Sequence, residues 1–433
     1  MARSSTHLPA VPHPAGETTV ETDAGEKRVP TAIEMPSGCG GGSLGMQHIG
    51  YNVLAGFDID IAAWYSYHGN LHGTEAVNHD MTDVDPNIVA RLAAEHDPEY
   101  TIEAEGARPK IPREDYAEIG PEGPGVIDMA LFGTPCQDAS MAGKKQRDGE
   151  RNELLFTATE WVDELAPGVV VMENVPGLKK NHENLHSAVE ESLREAGPGY
   201  QVSTVILTAA DYGVPQRRDR LFILGVREDL PTPDQWEPTP SCAVEPQQTL
   251  TGRRLEGYET AGAALGDLPD PLPPQPPAED PVHMVSRADE NRVIPDTVPQ
   301  FVDVEDRSVR MPPNHVEADH SDEYREEKAD LPLGYPGQPA TDRRLDPGEA
   351  APTMTVSQGT PPWHYAGRAP SKPEASTERV RRMTVREVAR IQGFPDSFTF
   401  SGTKAEQFRQ VGNAIPPLLA AHITSHLGST SLY

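Results

Sequence analysis

Short runs of apolar residues alternate with amphipathic stretches between residues 31 and 227. Several runs are apolar at successive positions, which is typical of parallel strands covered on both faces of a sheet. The predicted strands are Val53–Phe57, Val126–Phe132, Val169–Met172, Val202–Leu207 and Arg220–Val226, and the predicted helices between them are Glu153–Leu165 and Glu183–Ala196. Strands that alternate with helices predict a doubly wound α/β domain.

The pattern changes after Arg227. Residues 228 to about 350 carry many prolines and acidic clusters without a long hydrophobic period, which predicts a second, smaller and irregular domain with proline-rich linkers. Helical periodicity returns at Met383–Phe394 and Thr403–Leu427, and the last helix is expected to begin at the prolines that follow Asn413. We therefore divide the chain into a flexible tail (1–30), an α/β domain (31–227), the irregular domain (228–380) and a C-terminal segment (381–433).

The composition fits a chain with long loops, because 44 of its 433 residues are proline and only 36% are hydrophobic. No run of 18 apolar residues is present, and the N-terminus lacks the apolar segment of a signal peptide, so we predict neither a membrane span nor secretion. The three cysteines, Cys39, Cys136 and Cys242, form no CxxC pair and no Cys/His metal spacing. We therefore predict no disulfide, no metal site and a reducing, cytoplasmic location.

A glycine-rich segment, from Glu34 to Gly45, precedes the strand Val53–Phe57, which ends in Asp58. Glycine lets the backbone approach a ligand, and an acid at the end of the second strand is placed to accept hydrogen bonds from ribose hydroxyls. Asp80 follows a further loop and is placed to read an adenine amino group. For the glycines alone, the alternative is an ordinary tight turn, and the absence of GxGxxG argues against a dinucleotide fingerprint. Together, the three features predict a nucleoside pocket.

Cys136 follows the strand Val126–Phe132 within the sequence Phe-Gly-Thr-Pro-Cys-Gln. The carboxyl end of a parallel strand is where ligands bind in α/β domains, and Gly133 and Pro135 would present the sulfur on a fixed turn. The alternative is a buried, inert cysteine, which is the usual state of a free thiol. The rigid frame and its predicted polar neighbours favour a reactive nucleophile.

Two further groups of polar residues lie beside predicted strands. Val169–Met172 runs into Glu173, whose carboxyl would be partly desolvated at the sheet edge and suited to proton donation; the alternative is a solvated glutamate in a turn. Gln216, Arg218 and Arg220 alternate, so they share one face if the chain is extended there. Two guanidiniums on one face suit a phosphate or a base carbonyl, and the alternative is an exposed basic strand start.

In this order, the segments resemble the motifs of the DNA cytosine-5 methyltransferase family. The resemblance rests on Ser37-Gly-Cys-Gly-Gly-Gly, Gly133-Thr-Pro-Cys-Gln, Glu173-Asn-Val and Gln216-Arg-Arg-Asp-Arg, with further matches in Arg382–Asp396 and Gln410–Pro417. It covers residues 31–227 and 351–427. It implies a Rossmann-like class I methyltransferase domain that binds S-adenosylmethionine, a target-recognition domain over residues 228–380, and a C-terminal segment that returns to the catalytic domain.

The resemblance also implies a role for each group. Cys136 attacks C6 of cytosine, Glu173 holds and protonates N3, and Arg218 and Arg220 orient a base that must be flipped out of the duplex. The implied cofactor contacts are Pro36, Ser37, Gly38, Gly40, Asp58, Ile59, Asp80, Met81, Pro135, Leu154, Asn413 and Ala414. Two of them depart from the family's pattern, because Pro36 stands where phenylalanine is usual and Asp58 where glutamate is usual.

The implied partner is double-stranded DNA, with no membrane and no metal. A monomer is expected, and a cognate restriction endonuclease is a further expected partner. Arginine pairs at 253–254 and 343–344 are candidates for reading bases, although such pairs are equally common on plain surfaces.

Three alternatives remain open. An RNA cytosine-5 methyltransferase is disfavoured because no second cysteine flanks Glu173 and because Cys242 is not followed by Phe-Thr. A catalytically silent DNA-binding relative is disfavoured because both Cys136 and Glu173 are present. An unrelated methyltransferase that shares only the glycine-rich half is disfavoured by the ordered motifs after residue 133.

The charge is unusual for a protein expected to bind DNA, because the chain carries a formal net charge of −30 at pH 7. Only nine of its 37 basic residues are lysines. Scarce lysine with abundant acid resembles the proteins of halophiles that accumulate salt, whose charges are screened within ~3 Å at 1 M salt. The alternative is that acids solvate faces away from the ligand while arginines cluster locally.

Overall fold

The computed structural model describes residues 19–22, 25–84, 86, 127–134, 153–240, 258–272, 302–303, 310–311, 313–334, 344–354, 361–365 and 380–432. These residues fall into two compact units. The first, which we call the sheet unit, comprises the described residues up to 208, together with 219–239 and 417–432. The second, the loop-rich unit, comprises residues 209–218 and the described residues of 240–416.

The secondary-structure elements of the described residues are numbered in chain order. The strands are β1 (Thr19–Thr22), β2 (Gly25–Arg28), β3 (Thr31–Glu34), β4 (Asn52–Phe57), β5 (Glu75–Val77), β6 (Met129–Phe132), β7 (Val169–Asn174), β8 (Tyr200–Thr208), β9 (Gln216–Arg217), β10 (Asp219–Arg227), β11 (Val302–Asp303), β12 (Arg310–Met311) and β13 (Ala351–Pro352). The helices are α1 (Gly41–His48), α2 (Ile61–Asn70), α3 (Glu153–Leu165), α4 (Gly177–Asn181), α5 (Glu183–Glu195), a 3-10 turn (Ala209–Tyr212), α6 (Ala261–Leu265), α7 (Asp322–Lys328), α8 (Val385–Gln392), α9 (Lys404–Asn413) and α10 (Pro417–Ser431).

A seven-stranded sheet with the order β5-β4-β3-β6-β7-β10-β8 forms the centre of the sheet unit. The pairs from β5 to β7 are parallel, which confirms the predicted doubly wound α/β fold. β10 is antiparallel to both β7 and β8, and the sequence did not predict this direction. The chain between β8 and β10 covers only residues 209–218, and a parallel connection needs a dozen or more residues, usually including a helix.

The predicted strands agree with the observed ones apart from their ends. β4 begins one residue before the predicted run, and β8 and β10 extend theirs by one or two residues at each end. β6 begins at Met129, later than predicted, and Val126 lies outside the described residues. β7 continues through Glu173 and Asn174, which pair with Phe222 and Leu221 of β10, so this acid lies within the ladder rather than in a turn.

The two faces of the sheet are buried by apolar side chains from helices on either side. Phe57 of β4 and Trp161 of α3 meet edge to face, with their ring centroids 5.4 Å apart. On α1, a Cβ at Gly45 would collide with the Pro417 carbonyl and the Ala420 side chain, so glycine allows α1 and α10 to pack closely. The C-terminal helix is therefore part of the sheet unit. Within the described ranges, no helix combines the length and apolar character that a membrane span requires.

The loop-rich unit is held together by buried polar contacts around α8. All eight residues of this helix are buried, including Arg386, Glu387 and Arg390. Arg386 donates to the carbonyls of Pro313, Pro395 and Phe398, so one guanidinium joins the loop at Pro313 to the loop between α8 and α9. The predicted helical run from 403 to 427 is two helices, α9 and α10, because a residue before proline disfavours helical backbone and Pro416 and Pro417 follow in succession.

Candidate active site

The glycine-rich segment forms a turn between β3 and α1. Gly38 and Gly40 have positive φ angles of 54° and 94°, which favour glycine. A Cβ at Gly40 would also come within 2.8 Å of the Tyr67 ring. The Ser37 amide donates to the Phe57 carbonyl at 2.7 Å, so the turn is tied to the end of β4. Pro36 and Gly38 are partly exposed and Ser37 is buried.

Glu34 supports this turn from inside the protein, and the sequence analysis did not identify it as a site residue. Its carboxylate accepts hydrogen bonds from the amides of Gly42 at 3.1 Å and Ser43 at 2.7 Å. Burial raises the pKa of Glu34 to about 7, although the bonds from Ser43 and Gly42 oppose that shift. The only sequence signal was an acid at the end of an apolar strand, directly before the glycines.

Asp58 reaches the same turn from the end of β4. Its carboxylate accepts the Gly38 amide at 2.7 Å and the Asp60 amide at 2.8 Å. Burial raises the pKa of Asp58 to about 6, while these two amides oppose the shift. Ile59 follows with 60% of its surface exposed, although it is a large apolar residue. The turn therefore presents a positioned carboxylate beside an uncovered apolar side chain.

Asp80, Met81 and Leu154 differ in how much of each side chain a ligand can reach. Asp80 is partly exposed and accepts from the amide and hydroxyl of Thr82. Met81 is buried in the core, and its carbonyl accepts from the Trp161 indole at 3.2 Å. Leu154 is partly buried on α3 and packs against the same core. Only Asp80 has the position expected of a side-chain ligand contact.

Glu173 lies at the carboxyl end of β7 and forms an ion pair with Arg220 of β10. The Arg220 Nε atom is 2.7 Å from Glu173 Oε1, and both side chains are largely buried. Arg220 also donates to the Asp219 carbonyl at 2.7 Å, which fixes its orientation. The sheet unit thus brings together two of the four predicted catalytic residues.

Asn174, which the sequence analysis passed over, ties the Glu173 strand to the loop that leads to the predicted nucleophile. Its Nδ2 donates to the Thr134 carbonyl at 3.1 Å, across the ends of β7 and β6. Its Oδ1 accepts the Val175 amide at 2.8 Å. Pro135 and Cys136 lie outside the described residues, so their predicted roles remain predictions.

Gln216, Arg218 and Arg220 do not lie in one extended strand, so the condition for a shared face is not met. Gln216 pairs with β13 in a two-stranded sheet, whereas Arg220 pairs with β8 in the large sheet, and the extended chain is interrupted at Arg218. Arg218 is buried and donates to the Ala414 carbonyl at 3.3 Å within the loop-rich unit. Next to Ala414, Asn413 is exposed.

Among the four candidate base-reading arginines, the described residues include Arg344, and its contacts do not support that role. The Nε, Nη1 and Nη2 atoms of Arg344 all donate to the carbonyls of Tyr365 or Leu331, so its guanidinium stabilises the loop-rich unit. Arg253, Arg254 and Arg343 lie outside the described residues. Over the part of the chain that the structure describes, no group of three or more His, Cys, Asp or Glu residues is arranged to hold a metal ion.

We expect the carboxylate of Asp58, to which the family resemblance assigns the ribose hydroxyls, to make cofactor affinity dependent on pH. An ionised carboxylate accepts hydrogen bonds better than a neutral one, and the ionised fraction falls as the pH drops through a pKa of about 6. We expect the Kd for S-adenosylhomocysteine to rise between pH 7 and pH 5. In Asp58→Asn, binding should be about tenfold weaker at pH 7 and this step should disappear.

Calorimetric titration at several pH values measures the effect. Glu34→Gln is the control for the second carboxyl that titrates in this range, and it should keep the step near pH 6. A step that persists in Asp58→Asn would assign it to another group.

Comparison with known proteins agrees with this arrangement. A model of the C-5 cytosine-specific DNA methylase family matches residues 31–99 and 103–429. The type II methyltransferase M.XorII of Xanthomonas oryzae pv. oryzae is 29% identical over 405 residues, covering 90% of this chain and 82% of that protein. The type II methyltransferase M.DdeI of Desulfomicrobium norvegicum is 27% identical over 412 residues, covering 91% and 88%.

Solved structures support the fold alone. A prophage-encoded protein of E. coli, proposed to be a DNA modification methyltransferase, has a TM-score of 0.61 at 24% identity and covers 93% of this chain and 99% of its own. The Dnmt2 methyltransferase of S. pombe has a TM-score of 0.53 at 14% identity, with the same coverage. With the family model spanning both units, the chain belongs to the C-5 cytosine-specific DNA methylase family.

Proposed function

We propose that this chain transfers a methyl group from S-adenosylmethionine to C5 of cytosine within one short sequence of double-stranded DNA, through a covalent bond between Cys136 and C6. The observation that carries the proposal is the buried Glu173–Arg220 pair, whose neighbour Asn174 holds the Thr134 carbonyl. Two residues of extended chain span at most about 7 Å, which limits how far position 136 can lie from Thr134.

The residues of the turn fit the nucleoside part of the cofactor. No described atom lies within 4 Å of a Cβ built on Gly38, so the backbone borders open space at the point where Asp58 is held. Asp58 would accept the ribose hydroxyls, Ile59 would cover one face of the adenine, and Asp80 would read its amino group. The remaining contacts carried over from the family stay predictions, including Pro36 and the Asn413–Ala414 segment.

C5 of cytosine is by itself a poor nucleophile toward a methyl group. The reaction therefore needs covalent attack by the enzyme on the neighbouring C6 atom. Attack of the Cys136 thiolate on C6 breaks the C5–C6 double bond, and its electron pair becomes available at C5 while N3 takes a proton from Glu173. Glu173 takes up this proton from solvent before the attack and is left as the carboxylate that pairs with Arg220. The bound cofactor supplies a methyl group on a sulfonium. After transfer, a base removes the C5 proton and N3 returns its proton to the Glu173 carboxylate, so that the C5–C6 double bond re-forms and the thiolate leaves. Arg220 holds the Glu173 carboxyl in place until the base arrives.

Access to the base requires that it leave the duplex. Unstacking and unpairing cost a few kcal/mol, and the flipped base is then held by contacts to its Watson–Crick edge. We propose that Arg218 contacts the base and that residues 228–380 read the sequence from the major groove. The relatives are type II methyltransferases, so a cognate endonuclease is part of the proposal. We also propose that the chain acts as a monomer.

Methylation mapping tests the proposed substrate. The wild-type chain is expressed in cells that lack cytosine-5 methylation, and DNA and RNA are both converted with bisulfite and sequenced. We expect 5-methylcytosine at one short DNA motif and none in RNA above the empty-vector control. Methylated RNA with unmethylated DNA would identify RNA as the substrate instead. The absence of methylation in both would contradict the proposed activity.

We further propose that the chain is adapted to high salt. Acidic residues outnumber basic ones by 67 to 37, which gives the chain a net charge of −30 and therefore mutual repulsion among its acids. This repulsion is screened within about 3 Å at 1 M salt. The melting temperature should therefore rise as KCl increases from ~0.1 to ~1 M. A constant or falling melting temperature, measured by circular dichroism, would contradict this adaptation.

A further inference from the structure

Two buried glutamines join three separate segments of the loop-rich unit through hydrogen bonds. Gln216 lies in β9, Gln392 is the last residue of α8, and Ala414 follows α9. Gln216 Nε2 donates to Gln392 Oε1 at 2.5 Å, and Gln392 Nε2 donates to the Ala414 carbonyl at 2.6 Å. Both glutamines are completely buried, so solvent does not replace these bonds.

The direction of this chain of bonds is determined by the groups at its ends. The Met354 amide can only donate, and it does so to Gln216 Oε1 at 2.9 Å. The Ala414 carbonyl can only accept. Each amide side chain therefore has one orientation, with its oxygen toward Met354 and its nitrogen toward Ala414. We call this chain of four groups the amide relay.

Arg218 meets the amide relay at its last atom. Its Nη2 donates to the same Ala414 carbonyl at 3.3 Å, and its side chain is buried. One oxygen atom thus connects the arginine proposed to contact the base with the segment proposed to contact the cofactor. A displacement of Ala414 changes the position of the acceptor for both Arg218 and Gln392.

We infer that Gln216 and Gln392 are positioning residues that couple cofactor binding at the Asn413–Ala414 segment to the alignment of Arg218 on the target base. The inference rests on the proposed roles of those two segments. A buried hydrogen-bond network has few alternative arrangements, so a shift at one end is passed on rather than absorbed. Coupling between two ligands is reciprocal, so DNA must change cofactor affinity by the same factor as the cofactor changes DNA affinity.

Binding measurements separate this role from simple bracing of the fold. The Kd of S-adenosylhomocysteine is measured with and without a duplex that carries the mapped methylation motif. The ratio of the two constants is the coupling factor, which is about 5–150 for allosteric proteins in general. We expect a factor in this range for the wild type, and a factor within about twofold of one for Gln392→Met, which keeps the side-chain length without the amide.

Gln407→Met is the matched control. Gln407 also makes two side-chain bonds in this unit, to the Gly402 carbonyl and to Asn314, but it does not contact the amide relay. We expect Gln407→Met to lower thermal stability and to keep the wild-type coupling factor. Gln216→Met breaks the amide relay one step earlier, and its coupling factor should lie between those of the wild type and Gln392→Met.

If Gln392→Met does not fold, as judged by circular dichroism, Gln216→Met carries the test alone. A wild-type coupling factor of one would overturn the inference, as would a wild-type factor retained in the folded relay variants. Failure of the proposed function is a different result, because the wild type would then methylate no DNA motif or bind no S-adenosylhomocysteine.

Discussion

Replacement of Glu173 by glutamine is expected to slow methyl transfer by about 10²–10⁴-fold. Glutamine has the same length, but it cannot give a proton to N3, so negative charge builds up on the base when Cys136 attacks. It also leaves Arg220, 2.7 Å from the carboxylate, without its charged partner in a largely buried position. Because Glu173 is proposed to touch the base rather than the cofactor, S-adenosylhomocysteine affinity should stay unchanged.

Single-turnover transfer of a labelled methyl group to duplex DNA measures this effect. Glu191→Gln is the control, because Glu191 is an exposed glutamate on α5 in the same unit, and its rate should match that of the wild type. A Glu173→Gln rate within a few-fold of the wild type would show that proton donation comes from another group.

Replacement of Glu387 by glutamine is expected to destabilise the protein by about 3–5 kcal/mol. The Glu387 carboxylate accepts two hydrogen bonds from Arg381, at 2.8 and 2.7 Å, and one from the Thr384 amide at 2.8 Å. His364 Nε2 lies 3.5 Å away. Without the carboxylate, the buried Arg381 guanidinium lacks the opposite charge of Glu387. The cost of burying that charge accounts for most of the expected loss of stability.

The same pair makes stability dependent on pH. Burial alone would raise the pKa of Glu387, but the bonds from Arg381 and the charges of His364 and Arg381 lower it to about 2. The folded-state pKa is thus below the value of about 4.3 in an unfolded chain. The contribution of Glu387 is therefore present above about pH 4.3 and is lost as the pH falls toward 2.

Chemical denaturation of the full chain measures both effects. Glu327→Gln is the control, since Glu327 is 65% exposed and its ion pair with Lys328 contributes about 0–1 kcal/mol. The double replacement of Arg381 and Glu387 by methionine should recover most of the loss, because it removes both charges together. A loss in Glu387→Gln no larger than that in Glu327→Gln would contradict the importance of this buried pair.

The positions of the strands were predictable where apolar runs are long. The directions of neighbouring strands, which depend on the connections between them, were less predictable. The runs around Val53, Val169 and Ile223 predicted strands of the central sheet, because successive apolar residues mark strands buried on both faces. The antiparallel direction of β10 depends on the short connection that precedes it. The sequence predicted the strands Val202–Leu207 and Arg220–Val226 on either side of that connection but not their relative direction.

The polar interior of the loop-rich unit was not predictable from periodicity. Arg386, Glu387 and Arg390 would be assigned to the solvent face of a helix, yet all are buried in α8. The two arginines are satisfied by partners distant in sequence, the Pro313 carbonyl for Arg386 and the Ala264 carbonyl for Arg390. Local pattern contains no information about such partners.

In the candidate site too, some residues were predictable from the sequence and others were not. Glu173 and Asp58 were identified because an acid that ends an apolar strand has few structural reasons to be there. Glu34 has the same sequence signal, but its partners are the amides of the following helix, so it supports the turn from below. Asn174 was passed over because its partner, the Thr134 carbonyl, lies 40 residues away in the chain.

Methyl transfer by Cys136→Ala tests the central claim most directly. Purified wild-type and variant chains are incubated with labelled S-adenosylmethionine and a duplex that carries the mapped motif, and circular dichroism verifies that both are folded. The account predicts that the variant binds S-adenosylhomocysteine with the wild-type Kd but incorporates no label into DNA above background. Incorporation by the folded variant at a rate approaching that of the wild type would contradict nucleophilic attack by Cys136.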